Sequence, residues 1–272
     1  MEALFLPQTS GRCFGIYRPG SSAVATRGAI LHVPAFAEEM NKARRVVSLQ
    51  SRALTDQGWS VLQLDLFGCG DSEGDFGDAT WDRWIADVGD AFEWLSDRTG
   101  RRPVLWGMRA GCLLAASAAA KLSSATDLLL WQPVVSGAQH LQQFLRLKTM
   151  GHMFGAGDGE RARTQVLRTA LQQGHSVEVA GYKILPDLAT GMDAATLSEP
   201  ACKTRVAWIE IAGSSPAALS PASKARIDAW RASGIDVEPR AVEGMPFWQT
   251  QEIAECPALI EATSGALERW AA

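Results

Sequence analysis

Hydrophobic positions along the chain fall into short dense runs that alternate with longer periodic ones. "GAILHVP" (28–34), "WSVLQLDLFGCG" (59–70), "PVLWG" (103–107), "DLLLWQP" (127–133), "RVAWIEIAG" (205–213) and "IDVEPRAV" (235–242) each predict a strand. Several are almost continuously apolar, as strands buried on both faces are. Helical patterns lie between them. Asn41 is a capping residue for a helix from Lys42 to about Gln57, stopped by Gly58. Thr80 caps the most regular segment, in which Trp81, Trp84, Ile85, Val88, Phe92 and Leu95 keep helical spacing up to Gly100. An alanine-rich helix follows Met108, another starts at Ser220 and Pro221, and a last one at Pro257 carries Leu259, Ile260, Ala266, Leu267 and Trp270 on one side.

Strand and helix in alternation predict an α/β fold with a mostly parallel central sheet and helices on both faces. The alternation breaks between Ser136 and Pro200. Helical stretches at 139–150 and 160–173 flank the glycine-rich "GHMFGAGDGE", and a strand-like "SVEVAGYKI" and "LPDLATGMDAATL" follow. This segment is expected to be a helical cap inserted above the sheet, with the glycine-rich stretch letting it move. Neither an internal repeat nor a low-complexity linker interrupts the chain, so residues 1–272 are expected to form one domain with a cap at about 136–200.

Composition narrows the function classes. The net charge of −4 argues against a general nucleic-acid binder. Five cysteines, none at Cys-x-x-Cys spacing, read as reduced thiols, and the histidines show no metal-ligand spacing; no metal and no cofactor are expected. "MEALFLPQTSGR" lacks a basic start, and the longest small and apolar run, 111–120, is too short to span a bilayer. The expectation is a cytoplasmic protein without stable membrane insertion.

Ligands on parallel sheets sit at the carboxyl ends of the strands. Three motifs fall at such ends. "LWGMRAG" has the form of a strand-turn-helix elbow, "DLFGCGDSEG" that of an Asp-x-x-Gly-x-Gly-x-Ser turn, and "HVPAFAEEMNK" follows the first strand. In this order they resemble the α/β-hydrolase superfamily, whose elbow carries Gly-x-Ser-x-Gly. More narrowly, "VPAFAEEMNKARR", "QLDLFGCGDSEGDFGDATW", "LWGMRAG" and "VEGMPFWQ" resemble the hydrolase 2 family associated with the exosortase A system. That resemblance implies an α/β-hydrolase fold and a locus shared with PEP-CTERM sorting and extracellular polysaccharide synthesis. It implies no known substrate.

The serine mechanism needs a nucleophile, an acid and a histidine in that order. Arg109 stands at the nucleophile position, and a guanidinium cannot attack a carbonyl. The acid turn reads "GSSP", with Pro216 where Asp is expected, and the histidine loop reads "MPFW". No histidine lies beyond His175. Cys112 reads as a buried thiol and Ser72 as a residue bonding its own turn, while His32, near the strand end, is either within reach of the site or a core or turn histidine.

The elbow nevertheless suits negative charge, because it opens a helix N-terminus and adds the forked donors of Arg109. A buried arginine needs a partner. Internal candidates are Glu38, Glu39, Asp65 and Asp71; the external one is a carboxylate or phosphate ligand, held with Lys42. Arg44 and Arg45 read as an exposed helix face. Phe36, Met108 and Trp248 are candidate lining residues for an acyl chain or phosphopantetheine thioester. The expected function is binding of an anionic acyl or glycan-pathway intermediate at Arg109. A non-standard esterase or thioesterase is an alternative, with Glu38 or Glu39 as base and Arg109 stabilising an oxyanion. A third reading is a non-catalytic subunit whose partner protein comes from the same locus.

Overall fold

The computed structural model describes residues 1–8, 11–123, 125–150 and 158–270. Most of the expected glycine-rich hinge, with His152, lies outside the described residues.

Two strands precede the first run expected from sequence: β1 (Glu2–Gln8) and β2 (Gly11–Arg18). Then follow β3 (Gly28–Val33), α1 (Glu38–Asp56), β4 (Trp59–Leu64), α2 (Trp81–Thr99), β5 (Pro103–Met108), α3 (Gly111–Lys121) and β6 (Leu128–Trp131). The inserted segment holds α4 (Gly137–Met150), α5 (Asp158–Gln172), the two-stranded ribbon β7 (Val177–Val179) and β8 (Tyr182–Ile184), and α6 (Pro186–Ala194). The chain closes with β9 (Arg205–Ala212), α7 (Pro221–Ala232), β10 (Asp236–Glu243) and α8 (Pro257–Trp270).

The main sheet has the order β1-β2-β4-β3-β5-β6-β9-β10. From β4 to β10 every neighbouring pair is parallel, while β2 runs antiparallel to both β1 and β4. Alternation along the strands divides the core between two faces. Leu31, Leu105, Leu128, Leu130 and Trp208 pack on the side of α2 and α3. Ile30, Trp106, Leu129, Trp131 and Ile209 pack on the opposite side with Val46 and Leu54 of α1 and Leu259 and Leu267 of α8. The inserted segment adds no strand to this sheet.

Helix α2 follows its sequence signals closely. Thr80 accepts a hydrogen bond from the Arg83 amide, and Gly100 ends the helix in the left-handed region at φ 64°. Helix α1 departs from them. It starts at Glu38 rather than Lys42, behind Ala37 at φ 51°, ψ −124°, and no side chain caps it. Glu38 and Glu39 occupy its first turn, where carboxylates favour the helix dipole. Asn41 lies inside the helix, and its Nδ2 donates to the Tyr182 hydroxyl at 3.1 Å. "SVEVAGYKI" is likewise a hairpin, because Ala180 and Gly181 both adopt positive φ and turn the chain.

Candidate functional site

The elbow between β5 and α3 is built by close backbone packing. A Cβ on Gly111 would lie 2.3 Å from the Pro34 carbonyl oxygen, and one on Gly107 would lie 2.6 Å from Cys112 Cα. Only glycine fits at either place. Arg109 sits between them at φ 55°. Its amide donates to the Trp131 carbonyl at 2.9 Å, and its own carbonyl accepts from the Cys112 amide at 3.0 Å. The turn thus holds the Arg109 side chain at the carboxyl end of β5.

That side chain lies against the first turn of α1. Nε is 3.2 and 3.3 Å from the two Glu39 carboxylate oxygens, and Nη2 is 3.1 Å from Oε1. Among the four carboxylates that sequence placed near Arg109, Glu39 is the partner. Glu38 pairs with Lys42 at 3.6 Å, and Asp65 pairs with Arg44. Asp71 contributes its backbone amide to Asp65. Arg45 bonds Glu255 on the exposed face of α1.

Both members of the Arg109–Glu39 pair are largely shielded, each side chain 13% exposed. Burial raises the Glu39 pKa above the ordinary carboxylate value, and the Arg109 charge and hydrogen bonds pull it back down. Glu39 occupies one side of the guanidinium fork. Nη1 carries no hydrogen bond among the described residues, so the outer edge of the fork remains available to a second acceptor.

The pair borders a cavity of about 360 Å³. Phe36 from the loop after β3, Glu38, Glu39 and Lys42 from α1, and Trp248 after β10 line it beside Arg109. Trp248 lies with its ring centroid 5.4 Å from the guanidinium carbon, a cation–π contact in the loop that would carry the histidine. Five of the sequence candidates therefore meet Arg109 in one place: Phe36, Glu38, Glu39, Lys42 and Trp248. Met108 does not. It is 1% exposed within the core on the α1 side, because alternation along β5 turns it away from the cavity.

Helix α4 supplies the residues that sequence reasoning missed. His140, Gln143, Phe144 and Leu147 line the cavity at spacings of one helical face. That spacing was visible in the sequence, but nothing local said which surface the face covers. His140 is 4% exposed, and both its ring nitrogens lack a hydrogen-bond partner. Its Nε2 is 3.9 Å from Glu39 Oε2, beyond hydrogen-bond distance. Burial and the nearby Arg109 push its pKa down to about 3, so it is neutral at physiological pH.

The other residues weighed from sequence hold structural positions. Ser72 donates to the Asp65 carbonyl at 2.6 Å and accepts from the Phe14 amide at 2.8 Å. Cys112 is fully buried, and burial raises its pKa. After β9, residues 213–216 are Gly-Ser-Ser-Pro. The buried carboxylate near that turn, Glu210, accepts from Trp208 Nε1 at 2.9 Å and from the Ser220 amide at 3.0 Å.

Comparison with solved structures places this geometry on a known scaffold. Est1E from Butyrivibrio proteoclasticus with ferulic acid bound superposes with a TM-score of 0.67 at 14% identity, covering 98% of this chain and 97% of that one. GrgF, an alpha/beta hydrolase from Penicillium sp. sh18, gives 0.63 at 14% identity and 98% of each chain. XC6422 from Xanthomonas campestris, an a/b serine hydrolase without lid, gives 0.59 at 16% identity, covering 99% and 94%. At these identities the likeness is one of fold, and the fold is that of the α/β-hydrolases. No curated protein matches the sequence. The sequence profile described as serine aminopeptidase, S33, matches residues 25–168, just over half of the chain and including both the elbow and α1. The chain belongs to that hydrolase family.

Proposed function

We propose that this chain is a member of the family without the serine relay, and that it binds an acyl-bearing or glycan-pathway intermediate by an anionic head at Arg109. The observation that carries this reading is Arg109 at the elbow, held by Glu39 on one side and open to a cavity on the other. The open edge of the fork suits a carboxylate or phosphate oxygen. Phe36, Phe144, Leu147 and Trp248 supply an apolar wall for the rest of an amphiphile. The absence of the relay rests on Arg109, on Pro216 and on Phe247 and Trp248 in the three loops that would carry it. The motifs shared with the exosortase A-associated hydrolases support a place in a PEP-CTERM and exopolysaccharide locus, with a cytoplasmic location and a partner protein from the same locus.

The test is direct binding of acyl phosphates, carboxylates and phosphopantetheine thioesters, followed by calorimetry. Arg109→Ala is expected to weaken the best ligand about tenfold or more, the scale of one charge-assisted contact. Equal affinity of wild type and Arg109→Ala for every compound would remove the proposal.

One observation favours a second reading. Glu39 has a raised pKa, lines a cavity and touches a fixed cation, which suits a general base acting on water while Arg109 stabilises an oxyanion. Turnover of acyl esters or thioesters that disappears in Glu39→Gln would favour it over binding alone.

A further inference from the structure

A second cavity, of about 190 Å³, lies on the other side of α1 from the elbow. Its walls follow from register. Phe14, Ile16 and Arg18 alternate along one face of β2, and His32 and Pro34 do so at the end of β3. Gln63 and Leu64 at the end of β4 and Asp65 just beyond it extend the wall, and Met40, Arg44, Val47 and Ser48 complete it from α1.

Its polar groups are incompletely matched. Arg44 pairs with Asp65 through Nη2 at 3.2 and 3.3 Å, and Asp65 also accepts from the Asp71 amide at 3.2 Å. Gln63 donates to Ser51 at 2.8 Å. Arg18 has no ion pair among the described residues, and its Nε is buried with no hydrogen-bond partner. His32 is 5% exposed, and its Nε2 is likewise buried without a partner. Burial and Arg44 push the His32 pKa down to about 3, so it is neutral and adds no charge. The lining therefore holds two guanidiniums and one carboxylate, leaving one positive charge unmatched. Burial, then the charge of Arg52, already act against the charged form of Arg18.

We propose that this cavity is a binding site for a short aliphatic monocarboxylate, its carboxylate on Arg18 and its chain on Ile16, Met40 and Val47. The single unmatched cation sets the ligand charge at minus one. The apolar wall selects an alkyl chain over a bare inorganic anion. The volume exceeds what a single water needs and falls below the roughly 300 Å³ of a drug-sized site, which limits the chain to a short one.

Titration calorimetry of the full chain with hexanoate tests this, with inorganic phosphate and the neutral hexanamide as parallel probes. Hexanoate is expected to bind, and both other probes to bind at least about tenfold more weakly. Arg18→Gln is expected to weaken hexanoate by about the same factor. Val47→Phe, which fills the cavity without touching a charge, is expected to abolish binding. Because the elbow is itself proposed to take acyl carboxylates, these titrations are made in the Arg109→Ala background, where hexanoate is expected to keep its Arg18-dependent binding. Failure of the Arg109→Ala protein to bind hexanoate, tighter binding of phosphate by it, or no loss on adding Arg18→Gln and Val47→Phe would each overturn the proposal.

Discussion

At the scale of single residues, the Arg109–Glu39 pair sets the most direct test. Removing one partner of a buried ion pair strands the other charge, at a cost of about 3–5 kcal/mol. Partial exposure of this pair puts Arg109→Ala toward the lower end of that range. Glu39→Gln in the same background is expected to recover much of the loss, since no charge is then left unpaired. The pH dependence has a definite sign. A carboxylate whose folded pKa is raised contributes stability below its ordinary value, and that contribution is lost as pH rises through the folded value. Burial raises Glu39, and Arg109 restrains the rise. Without Arg109 the folded value climbs further, so the deficit of Arg109→Ala should widen between about pH 5 and about pH 8. Adding Glu39→Gln should abolish the widening. Chemical denaturation of the three proteins at both pH values measures it, and a deficit that is flat with pH would rule out coupling through charge. Sequence identified Arg109 and offered four acidic partners. Choosing Glu39 required the true start of α1, which places that residue rather than Glu38 against the elbow.

At the scale of elements, legibility followed the strength of local signals. Helix α2 could be read from its ends because Thr80 and Gly100 perform at the backbone what their residue types suggest. Helix α1 was misplaced because Asn41 is a stronger cap signal than Ala37, and the helix instead enters through a strained turn. A φ of 51° with ψ of −124° is a region glycine occupies readily and alanine does not. Strain of this kind costs about 1–3 kcal/mol, against about 0.5–1 kcal/mol of extra chain entropy for glycine when unfolded. Ala37→Gly is therefore expected to raise stability by about 1 kcal/mol, seen as a higher midpoint in denaturant at unchanged slope. A lower midpoint would mean that packing of the buried Ala37 methyl outweighs the strain. The hairpin of β1 and β2 escaped reading because its apolar positions are interrupted by glycine and proline. Helix α4 was readable as a helix, yet the role of His140 came only with its docking over the elbow.

At the scale of the whole molecule, a serine relay is a property of three loops brought together by the sheet. The loops after β5, β9 and β10 are far apart in sequence and converge only because those strands run parallel. The fold and strand-end location of the site were legible for that reason, since alternation of strands and helices dictates both. If the relay is absent as proposed, the same convergence makes restoration of one member insufficient. Arg109→Ser would put a hydroxyl at the elbow, but Glu210, the buried carboxylate near the end of β9, is already bonded to Trp208 and Ser220. The loop after β10 offers Phe247 and Trp248. His140 enters the cavity from α4, and removing Arg109 leaves in place burial, the larger of the two causes that hold its pKa below the ordinary value. A serine without a base remains a weak nucleophile, and losing one relay member costs about as much as losing the set, on the order of 10⁶-fold. Arg109→Ser is therefore expected to hydrolyse p-nitrophenyl butyrate no faster than wild type and to form no covalent adduct with a fluorophosphonate, as read by intact mass. A burst of p-nitrophenol together with an adduct at position 109 would show that His140 or another group serves as base. In that case the cavity would be a catalytic site lacking only its nucleophile, and the binding role proposed for Arg109 would have to yield to it.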